Sequence, residues 1–155
     1  SVAQIDIDFD LTTYDNFKVY LEGWDPSADC SMYVRFKIGG SISTASYYSS
    51  LTIKKYNAGF DSSTYGGSNH NLGYLSDNVG GGADKKYSAQ LDIMPGTGTG
   101  FPFLHVSSFY RDNGSGYAAT TGVIAWQQFA QIQGIRLYPS SGNIDSGKYT
   151  LYGLK

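Results

Sequence analysis

Charge is what this chain has least of. Asp, Glu, Lys and Arg make up 15% of its 155 residues, against about 25% in an average soluble protein. The formal net charge is -2, and a polyanion demands clustered Lys and Arg, so nucleic acid is not an expected partner. The basic pairs Lys54-Lys55 and Lys85-Lys86 are expected at solvated loops or strand edges, a common use of Lys. With one cysteine, Cys30, no intramolecular disulfide can form and the fold must stand on its core. That thiol is expected to pack as a small hydrophobe. The two histidines, His70 and His105, are too few and too scattered for a structural zinc site, which takes four N or S ligands at short spacing.

Acid chemistry is equally thin. Glu22 is the only glutamate, and most aspartates fall in turns, where Asp is favoured for bonding its own backbone; a glycosidase needs two acids on facing elements. Asp6, Asp8 and Asp10 share one side of a strand and could offer oxygen ligands to Ca²⁺, but a wet strand face explains them without a metal. Nothing resembles a nucleophile elbow. The glycines of residues 77–84 precede a strand pattern rather than the helix of a phosphate-binding loop. No enzyme activity and no cofactor are expected. No apolar run approaches the roughly 18 residues of a membrane span, and no charged-then-apolar leader opens the chain, so a soluble protein without a secretion address is expected. Ser1 fits either a chain trimmed of its initiator Met or a piece of a longer fibre.

What the sequence does contain is alternation. Residues 2–9, 16–24 and 31–38 each place apolar side chains on one parity and polar ones on the other, which is the signature of antiparallel strands over a core. The short linker around Pro26 predicts a hairpin of the second and third runs, with Lys18, Glu22, Arg35 and Lys37 pairing across it. Residues 41–50 are Ser-rich, 51–56 read as a strand, and 57–71 read as a long Gly, Ser, Asn and Tyr loop, the place to look for a variable contact. Further strands are expected at 86–94, 101–111 and, weakly patterned, 117–126; residues 127–133 read as a linker or one helical turn. Residues 134–154 read as a closing hairpin with Ile135, Leu137 and Leu151 buried. About ten strands and no long helix predict one all-β domain spanning 1–155, an antiparallel β-sandwich of jelly-roll-like form.

Aromatics are the surplus: 15% of the chain, including 14 tyrosines. Trp24, Tyr47, Tyr48, Tyr56, Tyr65 and Tyr74 are expected in loops or on wet strand parities. Exposed aromatics mark protein interfaces and also stack on sugar faces, so both an oligomer or partner interface and a sugar platform are open to them.

The wording of the two ends is more specific than their pattern. Ile135, Leu137, Ser140, Ser141, Gly142, Asn143, Ser146, Gly147, Leu151, Tyr152, Gly153 and Leu154 form a closing block that resembles that of a family of tailed-bacteriophage virion proteins. Residues 10–35, with Tyr14-Asp15, the turn Asp25-Pro26-Ser27-Ala28-Asp29 and Arg35-Phe36, are similar to the same family. The resemblance covers both ends and not the middle. It implies a non-enzymatic capsid decoration (cement) protein or tail-fibre head located in the virion and assembled in the host cytoplasm. Its implied partners are copies of itself, in a homotrimer, and other virion proteins such as the major capsid protein. A carbohydrate-binding, receptor-recognition module contacting host surface glycan is the alternative.

Overall fold

The computed structural model describes residues 1–56, 60–114 and 116–155, with the backbone alone for residues 60–69. Among the described residues twelve strands are formed: β1 (Ile5–Asp8), β2 (Asn16–Pro26), β3 (Met32–Ile38), β4 (Ser41–Ile42), β5 (Tyr47–Tyr56), β6 (Phe60–His70), β7 (Gly73–Tyr74), β8 (Tyr87–Met94), β9 (Phe103–Arg111), β10 (Tyr117–Trp126), β11 (Gly134–Pro139) and β12 (Ile144–Leu154). They make two antiparallel sheets, one ordered β12-β2-β8-β9-β10-β5-β6, the other β1-β11-β3-β4 with β7 also on β3. The expected all-β sandwich is therefore formed. The chain crosses repeatedly between the facing sheets, around a regular β8-β9-β10 meander.

Alternation builds the core. Phe17, Val19, Leu21, Leu91, Ile93, Leu104 and Val106 point inward from the seven-stranded sheet, and Met32, Val34, Phe36, Ile135 and Leu137 from the five-stranded one; all are buried. Cys30 is buried as well, its Sγ 4.0 Å from Met32 Sδ. Burial, with the nearby Asp29 carboxylate, pushes its thiol up to about 12, which makes it an inert packing group.

Several local expectations are corrected, and most share one cause: neighbours in sequence were assumed to pair. β2 and β3 lie in opposite sheets, so the turn around Pro26 is a crossing between layers and not a hairpin. The charges assigned to that hairpin pair elsewhere: Lys18 with Asp92 at 3.1 Å, Lys37 with Asp8 at 2.7 Å, and Arg35 Nε donates to the Asn71 carbonyl. Likewise β11 and β12 do not form a closing hairpin. β11 sits between β1 and β3, while β12 is an edge strand on β2. Ile135 and Leu137 are buried as expected, but Leu151 is half-buried, on an edge strand that among the described residues pairs with β2 alone apart from a bridge between Val2 and Ile144. The stretch 57–71 is not one long loop, since residues 60–70 form β6 against β5, and β5 begins inside the Ser-rich segment.

The crossings are held by the two segments that carry distinctive wording. The Ser27 amide donates to the Asn143 carbonyl and the Asn143 amide to Ser27 Oγ, both at 2.8 Å. Ser140 N donates to the Ser31 carbonyl, Ser31 N to Ser140 Oγ, and Ser141 Oγ to the Asp29 carbonyl. The 25–31 turn and the 140–143 loop thus satisfy each other's backbone groups where strand pairing stops. Behind them, Trp24 Nε1 donates to the Lys148 carbonyl at 2.7 Å. Gly147 adopts φ +134, and a Cβ there would lie 2.4 Å from Trp24 Cδ1, so no side chain fits.

Candidate functional site

The structure scatters the six aromatics singled out from sequence. Trp24 and Tyr47 are corrected to core residues, with relative exposures of 1% and 0%. For Trp24 the reason is a register shift between Leu21 and Trp24 with Gly23 at φ +59, which switches the inward parity of β2 by one residue. For Tyr47 it is the early start of β5: the ring points inward, its hydroxyl accepts from Phe36 N at 2.6 Å and donates to the Ser43 carbonyl, and burial pushes the phenol up to about 12. Tyr74 is half-buried on the five-stranded sheet, edge-on to Tyr33, which is in turn edge-on to Tyr138. The side chain of Tyr65 lies outside the described residues. Tyr48 and Tyr56 are exposed on β5, at opposite ends of the strand.

A coherent surface does exist, on the outer face of the seven-stranded sheet, and register defines it. At one end Arg111, Tyr117 and Tyr56 stand side by side on β9, β10 and β5, and the next row of the same face is Phe109, Ala119 and Lys54. The Phe109 and Tyr117 rings stack at 5.6 Å and 12° while remaining 57% and 54% exposed. With Tyr56, Lys54 and Lys55 they line an apolar recess of about 170 Å³. The following rows are hydroxyl-rich, with Tyr20, Gln90, Ser107, Thr121 and Thr52 in register across five strands. A shallow depression of about 540 Å³ opens there between Tyr20, Glu22, Ser88, Gln90, Ser107 and Phe109.

Charge on this face is largely spent internally. Asp92 is desolvated, which opposes ionisation, yet hydrogen bonds from Gln90 and Lys18 hold its carboxyl below the usual range. His105 stands on this face, 3.4 Å from Thr121 Oγ1. On the other sheet, the Arg136 guanidinium grips Asp6 through two 2.7 Å bonds and lowers its pKa. Asp8 pairs with Lys37, and Asp10 accepts from Thr12. The three aspartates considered for Ca²⁺ are thus engaged with the protein, and no group of metal-ligating side chains occurs among the described residues.

Sequence reading missed Phe109 and Tyr117 as a pair. The strand carrying Phe109 was legible, and its parity places Phe103, His105, Ser107 and Phe109 on one face; the register that brings Tyr117 beside Phe109 has no local signal. No family model, curated protein or solved structure matches this chain.

Proposed function

We propose that this chain is a non-enzymatic structural protein of a tailed-phage virion, a capsid decoration protein or fibre-head module that acts by burying the outer face of its seven-stranded sheet. The observation that carries this reading is the stacked, half-exposed Phe109–Tyr117 pair with Tyr56 at the rim of a broad, hydroxyl-rich, nearly charge-neutral face. Such a surface suits adhesion to a similarly uncharged partner: aromatics are enriched and Lys and Glu depleted at interface centres, and contiguous apolar patches on monomers mark contact sites. The resemblance of the two end segments to phage virion proteins supplies the setting. The partners are copies of the chain itself, arranged as a cyclic homotrimer so that equivalent patches meet around one axis, and the major capsid protein beneath.

Light scattering on the isolated protein at micromolar concentration tests the assembly, with a mass of three chains of 16.8 kDa each expected. Phe109→Ala combined with Tyr117→Ala is expected to yield folded monomer. A wild-type protein that is monomeric and does not bind particles stripped of it would overturn the proposal.

A further inference from the structure

The outer face of the five-stranded sheet is also organised by register. Tyr33 on β3 stands opposite Tyr74 on β7 and Tyr138 on β11, and the three half-buried rings meet edge-on with centroids 5.1 and 5.6 Å apart. In the next row of this face Arg35 stands opposite Arg136, and Arg136 opposite Asp6. Like charges directly across a ladder destabilise it, and here a single carboxylate serves two guanidinium groups. Asp6 is gripped by Arg136, and in the row beyond it Asp8 pairs with Lys37. Of the three arginines in the chain, Arg111 and Arg136 hold acids. Arg35 is left over: among the described residues its contacts are the Asn71 carbonyl and the Tyr138 ring.

That arginine is fixed in place. Its Nε donates to the Asn71 carbonyl at 3.2 Å, and its Cζ lies 5.3 Å from the centroid of the Tyr138 ring. A guanidinium held by one edge and one face presents its Nη edge, a planar fork that matches a carboxylate bidentately. We infer that this face takes an Asp or Glu side chain of a second, different protein onto Arg35, with the three tyrosines receiving the residues that flank it. The two outer faces of a sandwich point in opposite directions, so copies joined through β9, β10 and β5 leave this one open, and the role is independent of the self contacts proposed above.

Charge and shape select the occupant. One uncompensated positive charge matches one carboxylate. A phosphate monoester, at about -1.5 to -2, exceeds it, and a nucleic acid demands a cluster of such cations. Small-molecule sites are concave, whereas three neighbouring strands offer an open face that encloses a free acid poorly. Tyr and Arg are the residues on which protein contacts most often depend for their energy. The surroundings are also poorly hydrated: the Tyr138 hydroxyl is buried without a partner among the described residues, and burial pushes its phenol up against the opposing pull of Arg35 and Arg136. An ion pair formed beside it is screened less than one in open water, and a guanidinium already held in position loses little freedom on pairing.

A library of immobilised short peptides with Glu at the centre, probed with the full chain beside the same library carrying Gln, tests this. The Glu library is expected to contain ligands with dissociation constants of about 1 mM or tighter, and the best of them to move the Nε–H signal of Arg35 in NMR of the full chain. Arg35→Gln should weaken that ligand about tenfold or more, as loss of a charge-assisted hydrogen bond does. Arg35→Lys, which keeps the charge without the fork, should fall between. Tyr138→Ala should weaken it and Tyr138→Phe should not, and Phe109→Ala combined with Tyr117→Ala should leave it unchanged. A Glu library that binds no better than the Gln one, binding that survives Arg35→Gln, displacement by an equal concentration of inorganic phosphate, or acetate binding as tightly as the peptide would each overturn the assignment. So would a smaller particle mass for Arg35→Gln, which would make this a surface between copies. A wild-type monomer that binds Glu peptides through Arg35 would count against the proposed assembly alone.

Discussion

The seam where the 25–31 turn meets the 140–148 segment and the outer face of β9, β10 and β5 are built from similar residues to opposite ends. Both set hydroxyl side chains beside aromatic rings. In the seam Ser27, Ser31, Ser140, Ser141 and Asn143 exchange hydrogen bonds with backbone groups across the crossing, and the aromatic, Trp24, is enclosed with its indole N–H satisfied. On the outer face the hydroxyls stand in register towards solvent and the aromatics stack in the open. The distinctive wording lies in the seam. Wording of that kind records what two crossings between sheets require, and it says little about what the face without such wording touches.

Substitution can break this contrast. In the seam, Trp24→Ala removes a fully enclosed indole and is expected to cost about 3 to 5 kcal/mol, read by denaturant unfolding; a loss below about 1 kcal/mol would mean that the crossing is peripheral. Leu137→Ala, with 0% exposure, belongs to the same range, about 2 to 5 kcal/mol, whereas half-buried Leu151→Ala should fall clearly short of it. Gly147→Ala meets both a left-handed φ and the Trp24 ring, and a strained residue of this sort costs about 1 to 3 kcal/mol. A melting temperature equal to wild type would show that β12 can shift to relieve the clash.

Asp6→Asn removes a bidentate but largely exposed ion pair with Arg136 and should cost less than about 1 kcal/mol. Its sign with pH is defined: the folded pKa is depressed below 3.8, so the contribution is present above the ordinary value and lost as pH falls through the lowered one. The Asn variant should therefore differ from wild type at neutral pH and converge with it in strong acid. Smallest of all on stability, Phe109→Ala and Tyr117→Ala should each stay within about 0.5 kcal/mol while changing the particle mass. A large stability loss there would move those rings from a contact surface into the structural framework.

The fold class was legible because period-two alternation survives in β2, β3, β8 and β9 whatever sheet each strand joins. Pairing was not, because the crossing at Pro26 and that at residues 140–143 use the same Pro, Ser, Gly and Asn vocabulary as hairpin turns; only the register of β11 between β1 and β3 distinguishes them. Trp24 was misplaced by a single-residue bulge, which inverts inside and outside without altering composition. The candidate surface was half legible: parity assigns Phe109 to the wet face, but its stacking partner arrives from the next strand through a pairing that no local pattern encodes. The face around Arg35 was illegible as a face, since Tyr33 and Arg35 share a parity on β3 but Tyr74 and Tyr138 reach them only through register.

The placement of β11 has a consequence for biosynthesis. Residues 134–139 fill the gap between β1 and β3, so Ile5 finds its partner in Leu137 only after nearly the whole chain has been made. Until then the five-stranded sheet lacks its middle, and Val34 and Phe36 have no neighbour strand on that side. Pairings of such sequence separation fold slowly and expose unpaired edges meanwhile. A nascent chain of this protein must therefore remain uncommitted on the ribosome until its last strands emerge, and a premature stop ahead of residue 134 should leave a product for proteases and not a smaller domain.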